Sequence, residues 1–179
     1  MKKIIYALFM FLSSPSFAET NVRFTPSKDC ENAVIYNIDK AEKSVDAAIY
    51  SINNRKIVEA LKNAKKRGIK LRILTDKLQA ASKSSKVFEL YRLGIKIRVN
   101  SKHKIEHNKF AIYDGKKVST GSFNWTNPAS EKNSENCLLI NNEPKTVAAY
   151  QKRFEELWKL NTKTKSDMWF KQKKLKQRI

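Results

Sequence analysis

Acidic residues are scarce in this sequence. Seventeen Asp and Glu stand against 37 Lys and Arg, a formal net charge of +20. That balance decides nothing about the fold. It points to an anionic partner, either nucleic acid or a membrane rich in acidic lipid, with an inert basic surface as the alternative. Cysteine occurs only at Cys30 and Cys137, with no C-x-x-C and no zinc spacing. The two can pair in an oxidising compartment or sit apart as buried thiols, and the sequence leaves both open. Histidine occurs only at His103 and His107. Their i, i+4 spacing is flanked by Lys102 and Lys104, whose charges oppose a cation, and the segment does not read as helix. With no Asp, Glu and His cluster elsewhere, neither a metal nor another cofactor is expected. No apolar run is long enough to cross a bilayer as a helix. No internal repeat is visible. At 41% hydrophobic the chain still has material for a core, so disorder is expected only at the ends.

The 179 residues fit one domain with appendages. Met1 to Ala18 reads as a secretory signal peptide. Lys2 and Lys3 are its basic start, Ile4 to Leu12 its apolar run, and Ser16 and Ala18 the small residues a signal peptidase reads. Cleavage after Ala18 removes two lysines and no acid, taking the charge from +20 to +18. The expected location is periplasmic or secreted. Residues 19–160 form the predicted domain. Residues 161–179 form a basic tail, with Met168-Trp169-Phe170 interrupting its lysines. The tail either grips a phosphate backbone or an anionic membrane, or frays without a role.

Within the domain, Val22 to Phe24 reads as a strand and Pro26-Ser27 opens a helix to about Lys43, with Ser27 as N-cap. Val45 to Tyr50 is a compact apolar strand. Asn53-Asn54 caps a helix with Ile57, Val58, Leu61 and Ala64 on one face, stopped by Gly68. Ile69 to Thr75 is the next strand. A helix from about Lys83 to Leu93 leads to a strand at Ile95 to Val99. Lys109 to Tyr113 and Lys117 to Thr120 flank a hairpin turn at Asp114-Gly115. Glu135 to Ile140 is a strand and Lys145 to Leu160 an amphipathic helix. The alternation predicts an α/β fold with a mixed, largely parallel sheet flanked by helices on both faces.

The chemistry concentrates between His107 and Asn136. Period 2 puts His107 and Lys109 on one face of a strand. An imidazole that attacks phosphorus or passes a proton, beside an ammonium that neutralises non-bridging oxygens, suits a phosphodiester. Ser122 and Asn124, also two apart, can donate to the same phosphate, and Gly121 lets the backbone approach. Asp114 is seven positions from His107, hence on the opposite face, and roughly 20 Å along an extended strand. It is read as a supporting turn residue. Glu135 is the expected carboxylate partner that orients the His107 imidazole. Taken singly, each residue has a bland reading: a solvated His, a Ser-x-Asn turn, an Asn127-Pro128 turn.

Together they form a pattern. His107-x-Lys109, then Asp114, then Gly121-Ser122-Phe123-Asn124 resembles the HKD motif of the phospholipase D superfamily. Asn133-Ser134-Glu135-Asn136 continues the likeness toward the small bacterial endonucleases of the Nuc type. The resemblance covers about Val22 to Trp158. It implies metal-independent phosphodiester hydrolysis through a phosphohistidine, with His107, Lys109, Ser122, Asn124 and Glu135 in the site and Asp114 in support.

In-line displacement needs a nucleophile on one side of phosphorus and a proton donor on the other. Only one such motif is present, so a homodimer sharing one site between two His107 side chains is expected. The leading function is a sequence-nonspecific nuclease for DNA, with RNA as a further substrate. Lys62, Lys65, Lys66, Arg67, Lys83, Lys86, Lys102 and Lys104 are candidates for an electrostatic collar, and Trp125 either stacks on a base or packs in the core. The alternatives are a phospholipase D acting on a lipid headgroup and a catalytically silent nucleic-acid-binding or uptake protein.

Overall fold

The computed structural model describes residues 18–176. The leader read at Met1 to Ala18 therefore lies almost wholly outside the described residues. Seven strands form one sheet: β1 (Glu19–Phe24), β2 (Ser44–Ile49), β3 (Lys70–Thr75), β4 (Lys96–Val99), β5 (Lys109–Tyr113), β6 (Lys117–Gly121) and β7 (Asn136–Asn141). Their order is β1-β7-β6-β5-β2-β3-β4. The helices are α1 (Asp29–Lys40), α2 (Arg55–Lys66), α3 (Lys77–Ala80), α4 (Val87–Arg92), α5 (Asn127–Glu131), α6 (Pro144–Leu160) and α7 (Lys163–Lys176).

The α/β layering is as the sequence predicts, but the sheet is not largely parallel. Only β2–β3 and β3–β4 pair in parallel. β1–β7, β7–β6, β6–β5 and β5–β2 are antiparallel. The reason lies in the connections. Helical crossovers join β2 to β3 and β3 to β4, which makes those pairs parallel. After β4 a loop carries the chain to the other side of β2 with no helix, and a hairpin follows, so direction reverses at each step.

Local chemistry explains the elements. The Asn54 side chain accepts from the Lys56 and Ile57 amides at 3.0 and 3.1 Å, capping α2. Ile57, Val58, Leu61 and Ala64 are then buried along one face of the helix. β2 is buried over nearly its whole length, as a central strand covered on both faces must be. Its neighbours Ala47 and Ala48 point into different cores, following the strand alternation. One core joins Ala47, Ile73 and Ile97 to α1 and α2. The other joins Ala48, Phe110, Ile112 and Val118 to Phe154 and Leu157 of α6. A disulfide between Cys30 and Cys137 ties α1 to β7, with Cα atoms 5.9 Å apart.

The basic tail folds as α7. Phe170 is 2% exposed. It stacks on Tyr91 of α4 at 3.8 Å between centroids and meets Phe88 edge-on at 5.1 Å. The Tyr91 hydroxyl donates to Asp167 at 2.9 Å. Its aromatic interruption is therefore an anchor in the core, and the first turns of the tail belong to the domain's packing.

The topology has one consequence for chemistry. β1, β2, β3, β4 and β6 end, and β5 and β7 begin, at the same end of the sheet. The loops there carry His107, Ser122, Asn124 and Glu135.

Candidate active site

Tyr50 and Lys109 organise the centre. β2 pairs with β5 so that Ile49 faces Lys109. The next amide, Tyr50 N–H, donates to the Asn108 carbonyl at 2.9 Å. This places the Tyr50 ring against both motif residues. The His107 ring meets it edge-on at 4.7 Å, and Lys109 Nζ lies 5.0 Å from its centroid. The Tyr50 hydroxyl accepts from Gln79 Nε2 at 2.9 Å, which fixes the ring. Lys109 Nζ donates to the His107 carbonyl at 2.6 Å. The two residues that share a face by parity are thus also tied to each other. Burial pushes the Lys109 ammonium below the ordinary lysine value, and the charges of Glu135 and Glu106 pull it partly back. A partly dehydrated cation beside an exposed imidazole is suited to a phosphoryl oxygen.

The approach to His107 is held by buried acids that the sequence did not single out. Asp76 caps α3 by accepting from Leu78 and Gln79 amides at 2.9 and 3.1 Å, and also accepts from Glu106 N–H at 3.2 Å. Glu106, 2% exposed, accepts from Asn108 Nδ2 at 2.6 Å. These contacts fix the backbone on both sides of His107. Nothing in the local pattern marks Tyr50 or Glu106, because their roles come from strand pairing across the sheet. His103 is exposed, and its backbone is bonded to Asn100.

The second half of the site follows β6. Gly121 has φ +133°, and a Cβ there would stand 2.5 Å from the Asn136 carbonyl oxygen. That oxygen accepts from Ser122 and Phe123 amides at 3.1 and 3.2 Å. Asn136 N–H donates to Ser122 Oγ at 3.0 Å, so the hydroxyl is positioned while its own proton stays free to donate. Asn124 Oδ1 is buried with no hydrogen-bond partner. An unpaired buried amide oxygen costs about 1–3 kcal/mol. The other branch of the same amide carries Nδ2, a donor that a phosphate can use.

Asp114 stands elsewhere, and Glu135 differs from the expectation in its contacts. Asp114, in the β5–β6 turn at the opposite end of the sheet, does not reach this site. Its φ is +55°, and its carboxylate accepts from the amides of Glu42, Lys43 and Ser44. Partial burial raises its carboxyl, but the three amides outweigh that and hold it below the usual carboxylate range. It fixes the α1–β2 connection. Glu135 does stand at the site end, but no hydrogen bond joins it to the His107 imidazole. It accepts from Asn133 Nδ2 at 2.9 Å, and its charge acts on Lys109. Trp125, 1% exposed, is core and has no face for a base. Of the collar, Lys65, Lys66 and Arg67 lie at the C-terminal end of α2, away from the site. Lys102 and Lys104 are exposed on the loop leading to His107.

A histidine, a partly dehydrated lysine, a serine hydroxyl and an asparagine amide thus stand on one sheet end, in the order of the HKD pattern. Comparison with known proteins gives the family. The family described as "Cardiolipin synthase, PLD-like domain" matches residues 34–158, and the chain belongs to this phospholipase D-like family. Similar relatives include a phospholipase D of Rickettsia prowazekii, 40% identical over 72% of this chain and 63% of the relative. A mitochondrial cardiolipin hydrolase of Chlamydomonas reinhardtii is 32% identical over 68% of this chain and 54% of its own length. The chain spans less than two thirds of the length of such curated relatives. Among solved structures, the phospholipase D family member Nuc from Salmonella typhimurium is similar with a TM-score of 0.77 and 32% identity. The match covers 82% of this chain and 97% of Nuc. NucT from Helicobacter pylori has a TM-score of 0.76 and 28% identity, covering 82% and 99%.

Proposed function

We propose that this protein is an exported phosphodiesterase that cleaves nucleic acid without sequence preference, using His107 as nucleophile. The convergence of His107, Lys109, Ser122 and Asn124 on one sheet end, each with an unused valence for phosphate, carries the reading. An imidazole nitrogen attacks phosphorus, the bond to the leaving oxygen breaks, and a protonated imidazole from the other side supplies the proton. That second imidazole then takes a proton from water, and the hydroxide displaces His107 from phosphorus. Lys109 and the Ser122 and Asn124 donors neutralise the phosphoryl oxygens as charge builds.

The proton donor is the His107 of a second copy. His107 is exposed, and Leu78 and Ile105, on segments next to it, are 69% and 49% exposed. A two-fold interface on this face buries those aliphatics and brings two imidazoles to one phosphate. The disulfide supports an oxidising location, periplasmic or secreted. Near end-to-end similarity to Nuc and NucT, together with the net charge of +20, favours nucleic acid as substrate. The names of the curated relatives favour a second reading, a lipid phosphodiester.

The test incubates the protein and its His107→Ala variant with single- and double-stranded DNA and with cardiolipin vesicles, each in EDTA. DNA cleavage that survives EDTA and is lost in the variant is expected. Lipid cleavage without DNA cleavage selects the second reading, and abolition by EDTA refutes the mechanism. Full activity in a species that light scattering shows to be monomeric refutes the shared site.

A further inference from the structure

We propose that a cleft beside the catalytic centre, built on Arg55 and Lys83, is a subsite for flanking phosphates of a nucleic-acid strand. This rests on the nuclease reading and specifies how a chain of phosphates is held.

Three segments meet there. The chain leaving β2 runs from Tyr50 to Arg55. The chain leaving β6 runs from Ser122 to Asn127. They join by a parallel bridge between Ile52 and Trp125, by the amides of Asn53 and Asn54 donating to the Trp125 carbonyl at 2.9 and 3.0 Å, and by Asn127 N–H donating to Asn53 Oδ1 at 3.0 Å. The third segment, before α4, is tied on by Lys86 N–H donating to the Ile52 carbonyl at 3.0 Å. Both of the first two segments begin at the catalytic centre, at Tyr50 and Asn124, and reach the cleft three residues on. Three residues span at most about 11 Å. A phosphate next to the scissile one is within that reach, so the cleft is placed for a flanking phosphate of the same strand.

The cleft holds about 360 Å³ and is lined by Asn53, Arg55, Lys83, Ser84, Lys86 and Asn127 among others, with no acid. Lys86 pairs with Glu89 at 3.5 Å. Neither Arg55 nor Lys83 has an ion pair among the described residues, and both are exposed. By contrast, Lys28, Lys56 and Lys62 each contact a glutamate. Two unneutralised cations are therefore held on a hydrogen-bonded frame, with the polar side chains of Asn53, Ser84 and Asn127 between them. Arg55 also opens α2, whose N-terminal end adds a partial positive charge. A lipid with one headgroup phosphate has no second phosphate to place here, and cardiolipin has only one more. A polynucleotide has one on each side.

The test compares two doubly substituted chains, each made in the His107→Ala background so that the probe stays intact. One carries Arg55→Ala and Lys83→Ala. The control carries Lys40→Ala and Lys70→Ala, the same charge change at the opposite end of the sheet. Binding of a labelled 12-nucleotide single strand and of a dinucleotide is followed by anisotropy across a salt series, with thermal melting as a check on folding. The cleft variant is expected to lose about tenfold of the native preference for the 12-mer over the dinucleotide. Its log–log salt slope is expected to fall by about 2, one for each phosphate no longer neutralised. Equal behaviour of the two double variants overturns the subsite. So does an equal loss of binding to anionic lipid vesicles, which marks an unspecific basic patch. Catalytic failure of the native chain on DNA is read in a separate assay and refutes the nuclease reading itself.

Discussion

Gly121→Ala separates this account from one in which the Gly-Ser-x-Asn segment is an ordinary turn. The added methyl lands 2.5 Å from Asn136 O and 2.8 Å from Asn136 Oδ1, and φ is +133°. The nearest atom is backbone, so the methyl cannot be avoided by a side-chain rotation. The conformation itself costs on the order of 1–3 kcal/mol for a residue other than glycine. Pushing Asn136 away threatens the bonds its carbonyl accepts from Ser122 and Phe123, at about 0.5–1.5 kcal/mol each. The sum is about 2–6 kcal/mol. For a domain of this size that lowers the melting temperature by about 4–24 °C. Because Ser122 and Asn124 follow directly, turnover of a phosphodiester falls by about 100-fold or more even where the variant is fully folded, the scale of losing one transition-state donor. Gly115→Ala is the control. Its φ is +65° with nothing within 4 Å, so it costs only about 1–2 kcal/mol and leaves turnover alone. Calorimetry and kcat at about 10 °C, a temperature chosen as about 10 °C or more below either melt, read both. If Gly121→Ala melts within about 2 °C of the native chain and keeps a third of its activity, the close approach to Asn136 does not matter and the reasoning fails.

Three further outcomes are expected. Lys109→Met reduces kcat by about 100- to 1,000-fold. It does not lower the melting temperature at neutral pH, because it removes a charge that burial disfavours. The folded Lys109 value is depressed, so the folded state binds fewer protons between that value and the unfolded one. Native stability therefore rises with pH through the window below about 10.4, while activity falls there; Lys109→Met abolishes that rise. Asp114→Asn loses about 1.5–3 kcal/mol in denaturant melts at pH 7 while keeping kcat. Its carboxyl is depressed in the fold, so the native advantage is present above about pH 4 and disappears as pH falls through the folded value; equal loss at pH 2 and pH 7 contradicts this. Reducing the Cys30–Cys137 bond, with a sequence separation of 107, costs about 2–4 kcal/mol, seen as a lower urea midpoint with dithiothreitol and no change in a Cys30→Ala, Cys137→Ala chain.

Local signals in the sequence held at several caps and turns, though Lys28 and not Ser27 stands at the N-cap of α1. Asn54 caps α2, Gly68 ends it with φ +86°, and Asp114-Gly115 turns the β5–β6 hairpin. Parity along one strand put His107 and Lys109 together and set Asp114 aside. Strand direction was not legible, because the loop from β4 to β5 carries no mark of which edge it crosses to. Two single-turn helices were missed. α3 is capped by Asp76 and α5 by Thr126, and Pro128, read as a turn, sits in the first turn of α5. The site's supporting residues escaped notice for the same reason as the strand order. Tyr50 reads as the end of an apolar strand, and Glu106 as a stray acid in a basic loop. Pairing between β2 and β5 gives Tyr50 its neighbours, and the end of β3 brings Asp76 to Glu106.

The order in which the chain is made gives β1 a particular history. It is an edge strand with one partner, β7, and its pairing runs from Glu19–Asn141 to Phe24–Asn136. Synthesis begins at the N-terminus, so β1 emerges long before that partner exists. The bond from Cys30 to Cys137 waits equally long. Until residue 141 has been added, the nascent chain carries an unpaired strand edge and an open core, which invite aggregation. The first 141 residues already hold 26 Lys and Arg against 13 Asp and Glu, and that excess keeps such half-built copies apart by mutual repulsion. The lysines that attract a polyanion in the finished protein thus also protect the chain before it can close.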